Sequence, residues 1–346
     1  MDKNSNSGRK WLSKALTIIL VIVLAVAFDI DISDWDIVKE ILNPTEKIEE
    51  VVVTPTPEVT ITPMPTRKPS QSVKGDRQEG ELVVHMIDVG QADCFLLIQD
   101  NETTLVDCGT RSTGKDAVEY IKSLGITKLD YVIGTHPHDD HMGGMYDIIT
   151  NFEIGTIIIP IVEDGEVTAN WYLKLMNELN TGKYQVQNVK AGDGFNLGDA
   201  TIEVLAAETG VSNTNNYSIV LKVSFGEMDI IMTGDAETEI EELILESGKD
   251  IDAEIYKAGH HGSDTSNSKA FLDAISPDYA LISCKVGNKY EHPIKSVMED
   301  FEARGIEVYR TDENGSVVMT VTANAVTFDC EPGDYLSGIE LEEREG

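Results

Sequence analysis

Short runs of β-branched and other apolar residues alternate with amphipathic stretches from residue 81 onward. The short runs, which are bounded by Gly, Asp and Asn, predict strands at Leu82–Ile87, Cys94–Ile98, Thr103–Val106, Tyr131–Gly134, Ile154–Pro160, Ala200–Ala206, Tyr217–Phe225, Met228–Met232, Ala253–Lys257, Tyr279–Ser283, around Val308, Val317–Val321 and Ala325–Phe328. Apolar residues at helical spacing predict helices at Lys115–Leu124, Thr168–Leu179, Ala236–Ser247, Lys269–Ile275 and Ile294–Arg304. Two successive halves of strands and helices predict an α/β (α+β) fold, an αββα sandwich of two facing mixed sheets with helices outside.

A different pattern occupies the N-terminus, where basic residues precede an uncharged run from Ala15 to Phe28. Residues 1–30 therefore predict a signal anchor or a signal peptide. The run is near the lower length limit for a membrane span, and Ala25-Val26-Ala27 fits a cleavage site. A buried helix of the folded domain is a third interpretation. Since positive residues stay inside, both signal interpretations place the rest of the chain outside the cell, held on the cell membrane by a single pass or secreted.

Proline and threonine dominate the next segment, in which six of the 11 prolines lie between Pro44 and Pro69. Proline fixes φ and removes a backbone donor, so residues 31–80 predict a disordered, extended linker. The folded domain is expected over residues 81–332. The composition of residues 333–346 predicts an acidic C-terminal tail.

The net charge of the chain disfavours some classes of binding partner. It has 61 Asp and Glu against 27 Lys and Arg, a formal net charge of −34. An acidic surface repels phosphate backbones, which disfavours tight nonspecific binding of nucleic acid. The 4 cysteines are too few for a disulfide scaffold. Cys94 and Cys108 lie on neighbouring predicted strands and either pair or remain as buried free thiols.

Histidines carry the strongest chemical signal of the sequence. The chain has 7, and His136, His138 and His141 stand with Asp140 in one short segment directly after an apolar strand. Side chains two apart on an extended segment point the same way, so His136 and His138 are expected to hold one metal ion. Asp140 and His141 follow where the chain turns into a helix, and they are expected to face a second ion. Imidazole and carboxylate ligands suit Zn, Mn or Fe.

Two more strand ends carry metal-binding side chains farther along the chain. Asp235 follows the apolar strand that ends at Met232, and its two oxygens can bridge two ions. His260 and His261 follow the strand that ends at Lys257, with a glycine on either side of the pair. The sequence leaves open which of these two histidines is the ligand and which faces the substrate.

The segment Thr135–His141 resembles the HxHxDH signature of the metallo-β-lactamase fold, and a wider set of motifs resembles the hydrolase domain of ComEC-type competence proteins. That set consists of Ile87–Asp93, Val106–Gly109, Asn215–Ser218, Thr233–Asp235, His260–Ser263, and Asn288 with His292-Pro293. The resemblance covers roughly residues 82–328. Many members of the wider fold supply another metal-binding histidine before the bridging aspartate, whereas this chain has none between His141 and His260.

The resemblance implies two divalent metal ions, Zn or Mn, held by His136, His138, Asp140, His141, Asp235, and one of His260 and His261. It also implies hydrolysis by a metal-bridging hydroxide, with Asp140, His260 and His292 as the expected catalytic residues. Asn216 and Ser263 are candidate substrate-binding residues, and turn or capping roles are the alternative for both. Asp88 and Asp93 either support the ligand histidines or shape a turn.

The expected reaction is hydrolysis of a phosphodiester in a nucleic acid, a nucleotide or a cell-wall polymer. The same fold also suits hydrolysis of another ester, a lactone or a β-lactam, and it suits a non-catalytic surface-binding module, because a fold does not decide a reaction. The N-terminal segment makes the membrane the other expected partner. No protein partner can be inferred from the sequence.

Overall fold

A computed structural model of the protein describes residues 80–163 and 165–345. The predicted signal segment and all of the predicted linker except its last residue lie outside these ranges. Within the part of the chain that the structure describes, no helix is both long enough and apolar enough to cross a membrane.

Two sheets form the scaffold of the described chain. The strands are β1 (Leu82–Met86), β2 (Phe95–Gln99), β3 (Glu102–Val106), β4 (Lys128–Ile133), β5 (Glu153–Ile158), β6 (Gln185–Gln187), β7 (Gly194–Leu197), β8 (Ala200–Ala206), β9 (Val220–Phe225), β10 (Met228–Met232), β11 (Ile255–Lys257), β12 (Tyr279–Ile282), β13 (Glu307–Arg310), β14 (Val317–Val321) and β15 (Val326–Phe328). They form an 8-stranded sheet in the order β15-β14-β1-β2-β3-β4-β5-β6 and a 7-stranded sheet in the order β13-β12-β11-β10-β9-β8-β7. Each sheet combines antiparallel pairs with a parallel group, β3 to β6 in the first and β10 to β13 in the second.

Helices cover the outer face of each sheet. They are α1 (Gly114–Ser123), α2 (Asp139–Met142), α3 (Met145–Asn151), α4 (Asn170–Leu179), α5 (Thr238–Glu246), α6 (Lys269–Ile275), α7 (Lys295–Arg304), α8 (Thr311–Asn314) and α9 (Gly338–Glu345). Apolar residues of α1, α3 and α4 pack on the first sheet, and those of α5, α6 and α7 pack on the second. The predicted αββα sandwich is confirmed.

The inner core explains why the sheets face each other. Alternate residues of β1, such as Leu82 and Val84, share one apolar cluster with alternate residues of β9, such as Leu221 and Val223. Successive side chains on a strand point to opposite faces, so the remaining residues of each strand lie on the outer face of its sheet. Val220 of β9, for example, packs in the outer cluster of the second sheet. Central strands thus carry buried apolar residues on both faces, which is why the sequence predicted them well.

The observed elements differ from the prediction in several places. β4 begins at Lys128 instead of Tyr131, α3 was not predicted, and two short strands and one further strand start also differ. β6 and β7 were not predicted, because they are short edge strands whose residues are largely polar or glycine. The predicted strand at Tyr217–Phe225 begins only at Val220, since Thr214–Tyr217 forms a 3-10 turn. This turn brings a polar segment to the edge of the sandwich where the histidines lie.

Residues 333–346, which the sequence analysis predicted as an acidic C-terminal tail, include the helix α9. Leu341 of α9 is buried, and Lys295 pairs with Glu340. The segment before α9 is held by Arg310, whose guanidinium donates to Asp312 at 2.7 Å and to the backbone carbonyl of Leu336. Acidic composition alone did not reveal this single apolar anchor.

Candidate metal centre

Chain segments that follow four strands meet at one edge of the sandwich. Neighbouring parallel strands end at the same edge of a sheet, which places the residues after β3 beside those after β4, and those after β10 beside those after β11. The two sheets join there, since the Ile219 N–H donates to the Thr135 carbonyl at 3.0 Å. Gly234, with φ of +55°, lets the chain turn where an added Cβ would lie 3.0 Å from the hydroxyls of Ser218 and Thr135.

His136 and His138 are brought together as the alternation of an extended segment predicts. The Nε2 atom of His136 lies 3.0 Å from Nδ1 of His138 and 3.8 Å from Oδ2 of Asp235. Burial lowers the pKa of both imidazoles. Both rings are therefore neutral at neutral pH, which is the form that binds a metal.

Asp140, His141 and His261 form a second group around the same aspartate. Nε2 of His141 lies 3.1 Å from Oδ2 of Asp235. Nε2 of His261 lies 3.7 Å from Oδ2 of Asp140 and 3.8 Å from Oδ2 of Asp235. Asp140, His141 and His261 are close enough to share one ion, and so are His136, His141 and Asp235. Asp235 Oδ2 thus lies within 4 Å of ring nitrogens from both groups.

Hydrogen bonds on the far side of the rings decide which nitrogen is free. His141 Nδ1 donates to Asp107 Oδ2 at 2.7 Å, and His261 Nδ1 donates to the Ser283 carbonyl at 2.9 Å. In the neutral ring, each bond keeps the proton on Nδ1 and leaves Nε2, which lies toward Asp235, free to bind a metal. Metal-binding histidines in proteins are oriented in this way.

Orphaned polar atoms test whether a metal ion fits the cluster. Both carboxylate oxygens of Asp235 and the Nε2 atoms of His141 and His261 are buried and have no hydrogen-bond partner among the described residues. Buried polar groups without partners are costly and rare. The orphaned atoms are carboxylate oxygens and imidazole nitrogens, the donors that divalent transition metals prefer. The residues therefore fit a metal centre.

The pKa shifts within the cluster also fit a metal centre. Burial would lower the pKa of His141 and His261, but the carboxylates around them raise both, that of His261 to about 10. Burial would raise the pKa of Asp235, but the surrounding imidazoles hold it well below its ordinary value. Protons thus occupy the positions that a metal ion takes, so metal binding releases protons and strengthens as the pH rises.

His260 and His261 occupy different positions in the cluster. Both have left-handed backbone, with φ of 52° and 55°, a strained conformation that is often found at functional sites. The side chain of His261 is buried among Asp140, His141 and Asp235. The side chain of His260 is 23% exposed, and its Nε2 lies 3.7 Å from Asp235 Oδ2. The geometry thus favours His261 as the ligand and places His260 at the rim, facing solvent.

Asp93 and Lys257 belong to the cluster as well. Lys257 Nζ lies 2.5 Å from Asp93 Oδ2 and 3.8 Å from Asp235 Oδ1, and both side chains of the shorter pair are buried. Burial would raise the pKa of Asp93, but the Lys257 ammonium and His261 hold it below its ordinary value. Asp93 therefore supports the histidines, whereas Asp88 only shapes a turn by accepting from the Gly90 N–H at 3.0 Å. Lys257 is a member of the cluster that the sequence analysis missed, because it is a single polar residue at the end of an apolar strand.

Asn216, Ser263 and His292 were the remaining predicted site residues. Asn216 donates to Glu239 at 2.9 Å and accepts from the Glu237 N–H at 3.0 Å, so its amide holds the start of α5. The Ser263 hydroxyl lies 3.1 Å from that of Thr265, within its own turn. These contacts match the capping and turn alternatives rather than substrate binding.

His292 lies at the rim beside His260, and their ring centroids are 5.3 Å apart. Its Nδ1 has no hydrogen-bond partner among the described residues. Burial and the neighbouring histidines lower its pKa to about 4. His292 is thus a neutral imidazole with a free nitrogen next to the cluster.

The cysteines lie outside this chemistry. Cys94 and Cys108 are both free and buried, so the disulfide alternative is not realised. Burial raises the pKa of each thiol, which makes them apolar packing groups. His85 also lies apart from the metal cluster and pairs with the Tyr120 hydroxyl at 3.0 Å.

Comparison with known proteins agrees with the resemblance seen in the sequence. The sequence profile of the Metallo-beta-lactamase superfamily matches residues 87–285. ComE operon protein 3 of Bacillus subtilis is 30% identical over 273 residues, which cover 73% of this chain and 34% of that protein. Competence protein ComA of Neisseria gonorrhoeae is 29% identical over 243 residues, covering 69% and 32%. Recombination protein 2 of Haemophilus influenzae is 28% identical over 240 residues, covering 68% and 28%.

The chain spans about a third of the length of these curated relatives. The matched residues contain the HxHxDH run, Asp235 and the His260-His261 pair. Members of the superfamily are mostly metal-dependent hydrolases, and the family implies divalent metal ions at a cluster of this kind. The chain belongs to the metallo-beta-lactamase superfamily and is a ComEC-like member of it.

Proposed function

We propose that the protein is a binuclear, metal-dependent phosphodiesterase. The observation that carries the proposal is the convergence of two groups of imidazoles and carboxylates on Asp235, whose two buried oxygens have no hydrogen-bond partner in the described chain. His136, His138 and Asp235 hold the first ion, and Asp140, His141, His261 and Asp235 hold the second. Zn and Mn both suit these ligands.

A pair of divalent ions, when bound, supplies an activated water and positive charge for the oxygens of a phosphate. The protein contributes the orientation of that chemistry. Asp107 and the Ser283 carbonyl hold the rings of His141 and His261, so the ligand atoms do not have to rearrange during the reaction. Asp140 is a ligand in this assignment, rather than a proton carrier.

His260 and His292 face the substrate from the rim. Burial lowers the pKa of both, so each ring is neutral and offers one N–H at neutral pH. A preorganised N–H donor stabilises negative charge as it develops on phosphate oxygens. We assign this role to the two rings because both adjoin the ligands and the His260 side chain is partly exposed to solvent.

An aromatic surface beside the rim supports a substrate that carries a nucleobase. The ring of Tyr290 is 49% exposed and stacks on that of His292 with centroids 5.7 Å apart and an interplanar angle of 25°. Lys289 Nζ lies 4.7 Å from the centroid of Tyr290. Aromatic rings near a cationic group are the usual platforms for unstacked bases.

The names of the relatives and the charge of this chain narrow the substrate further. The relatives are named for competence and recombination, which favours nucleic acid over a cell-wall polymer. The net charge of −34 disfavours a long duplex. We therefore propose a nucleotide or a short single strand as the substrate.

A substrate panel tests the proposed function. Protein loaded with Mn or Zn is expected to hydrolyse bis(p-nitrophenyl) phosphate and a dinucleotide, and a chelator is expected to abolish both activities until metal is restored. A lactone, a carboxylic ester and a β-lactam are expected to react far more slowly. Hydrolysis of one of these three in preference to the phosphodiesters would reject the substrate class. Absence of turnover on every substrate would support the non-catalytic binding module.

Replacing Tyr290 with Ala is expected to lower kcat/KM on a dinucleotide about tenfold, because one stacked base contributes about 1–3 kcal/mol. Tyr290→Phe keeps the ring and is the matched control. An abasic dinucleotide has no base to stack, so its hydrolysis is expected to be unchanged by Tyr290→Ala. Equal losses on both substrates would show that the ring acts on the metal site instead of the base.

We also propose that the N-terminal segment holds the domain on the outer side of the cell membrane. Its support is the basic flank and the uncharged run from Ala15 to Phe28. Intact cells treated with protease are expected to lose the domain, while membrane fractions from untreated cells are expected to retain it. Recovery in the culture medium would favour the secreted alternative, and protection from protease would reject export.

A further inference from the structure

A cleft of about 520 Å³ is lined by residues of both sheets, including their edge strands β6 and β7. Its lining comes from β3, β4, β5 and β6 of the first sheet and from β7 and β8 of the second. The Tyr131 ring from β4 packs on the Phe195 ring from β7, with centroids 4.2 Å apart. The cleft thus spans the two sheets at one side of the sandwich.

Polar side chains replace the apolar inner face of the first sheet in this region. Tyr131 pairs with Thr156, which pairs with Gln185, and all three line the cleft. The next row towards the metal centre contains Ile133 and Ile158, which belong to the inner core. An apolar row therefore lies between the cleft and the metal centre, so the cleft is a separate site.

Three side-chain amides of the cleft are free to bind a ligand. Gln185, Gln187 and Asn196 line it, and no hydrogen bond joins their side chains to another residue of the described chain. A primary amide offers an acceptor oxygen and two N–H donors, and a hydroxyl group both donates and accepts. The three amides therefore match a ligand that carries several hydroxyl groups.

Two buried polar atoms next to the cleft have no hydrogen-bond partner among the described residues either. They are the hydroxyl of Thr104 and Nε2 of Gln99. Thr104 pairs with Tyr131 in the row that lines the cleft, and Gln99 pairs with Glu102, another lining residue. Buried groups of this kind are rare without a water molecule or a ligand to bind. This part of the inner face thus has hydrogen-bonding capacity that the described chain does not use.

The charge of the cleft disfavours both anions and cations. Its described lining contains the carboxylates of Glu102, Asp193 and Glu203 and no Lys, Arg or His, so a phosphate group would be repelled. Each carboxylate already has a partner in the chain. Glu102 accepts from the Gly198 N–H at 2.8 Å, Asp193 accepts from a backbone N–H of its own loop, and Glu203 pairs with Lys249 at 2.7 Å. A neutral ligand fits this lining best.

We propose that the cleft binds a neutral oligosaccharide. The sugar hydroxyls bond to the amides of Gln185, Gln187 and Asn196, and the C–H groups of one sugar pack on the Tyr131 ring. The volume of the cleft lies within the range of about 300–1,000 Å³ that small-ligand pockets have. None of the proposed metal ligands lines the cleft, so the sugar binds with or without metal.

Isothermal titration calorimetry with four neutral tetrasaccharides tests the proposal. The probes are chitotetraose, cellotetraose, maltotetraose and mannotetraose, added to the full chain in a detergent whose headgroup is not a sugar. At least one is expected to bind, with the same affinity before and after a chelator removes metal. Binding of none of them at millimolar concentration would overturn the proposal. Binding of spermine in their place would assign the cleft to a cation and reject the sugar.

Variants of the cleft place the bound sugar. Replacing both Gln185 and Gln187 with Ala is expected to weaken binding about tenfold, because two hydrogen bonds are lost. Both residues lie on the edge strand β6 and keep contact with solvent, so the fold is expected to persist. Asn177→Ala removes an exposed amide from α4 and is the matched control, with unchanged affinity.

The aromatic ring is tested separately. Tyr131→Ala is expected to weaken binding about tenfold, whereas Tyr131→Phe keeps the ring and most of the affinity. If Tyr131→Ala does not fold, the double variant of Gln185 and Gln187 decides. Wild-type affinity in that double variant would place the sugar elsewhere and overturn the proposal.

Discussion

Asp235→Asn is expected to lower kcat/KM for a phosphodiester by about 1,000-fold, or about 4 kcal/mol of transition-state stabilisation. Asp235 is the only residue that lies within 4 Å of the ring nitrogens of His136, His141, His260 and His261 in the described chain. An amide has no charge and offers only one oxygen, so it cannot bridge two ions. Steady-state kinetics together with metal content by mass spectrometry measure the effect, and the bound metal is expected to fall with the activity.

Asp264→Asn is the matched control for this variant. Asp264 is exposed and follows the His260-His261 pair by three positions. The Asp264→Asn variant loses one carboxylate near the cluster but no ligand, so its activity and metal content are expected to stay close to those of wild type. Retention of more than a tenth of the activity in Asp235→Asn, with the metal still bound, would contradict the bridging role.

Lys257→Met is expected to lower the free energy of unfolding by about 3–5 kcal/mol, because removing one partner of a buried ion pair leaves an uncompensated charge. The ammonium also donates to the Gly234 carbonyl at 3.0 Å, so the chain turn before Asp235 loses a contact. Methionine keeps most of the apolar volume, which isolates the effect of the charge. Urea denaturation in a chelating buffer measures the loss without a contribution from metal binding.

Two further variants serve as comparisons for Lys257→Met. Lys128→Met breaks a pair with Asp130 whose lysine side chain is 48% exposed, and it is expected to cost less than about 1 kcal/mol. Adding Asp93→Asn to Lys257→Met removes the uncompensated carboxylate and is expected to recover part of the stability. A loss below about 1 kcal/mol in Lys257→Met would mean that water or a neighbouring proton compensates Asp93.

The pH dependence of this contribution follows from the direction of the pKa shift. The pKa of Asp93 lies below its ordinary value in the folded protein, because the Lys257 ammonium and His261 outweigh burial. The ion pair therefore stabilises the fold fully above the ordinary carboxyl pKa of about 4, and this stabilisation is lost as the pH falls towards the lower pKa of the folded state. The difference in free energy of unfolding between wild type and Lys257→Met is expected to narrow in acid.

The sequence analysis predicted the part of the site in which several metal-binding side chains lie close together along the chain. His136, His138, Asp140 and His141 stand in one segment, and their spacing alone indicates two groups of ligands. The sequence analysis placed Asp107 in a motif of the resemblance, Val106–Gly109, without predicting its role. It missed Lys257, because a single polar residue at the end of an apolar strand cannot be distinguished locally from a solvent-facing residue. Their roles arise from two sheets meeting at one edge, which is a property of the tertiary structure.

The choice between His260 and His261 needed the structure for a different reason. Adjacent residues with left-handed backbone do not follow the alternation of a strand or the spacing of a helix. The Ser283 carbonyl, which comes from the end of β12, orients the His261 ring. A contact between residues 22 positions apart leaves no signal in the local pattern.

The accuracy of the predicted strands and helices also depends on how many of their residues are buried. The central strands carry buried apolar residues on both faces and were predicted from the pattern of apolar residues, whereas β6 and β7 are short and lie at sheet edges. The helix α9 was missed because, among its described side chains, Leu341 is the one buried apolar residue in a largely acidic sequence. The local sequence pattern predicts an element well where many of its residues are buried. It fails where a single tertiary contact determines whether the element forms.

Anomalous diffraction at the Mn and Zn absorption edges, from crystals of the metal-loaded protein, tests the central claim most directly. The predicted result is two peaks about 3.5–4 Å apart on either side of the Asp235 carboxylate, one beside His136 and His138 and the other beside Asp140, His141 and His261. Metal-loaded crystals with no peak at Asp235, or with peaks only elsewhere on the acidic surface, would contradict it.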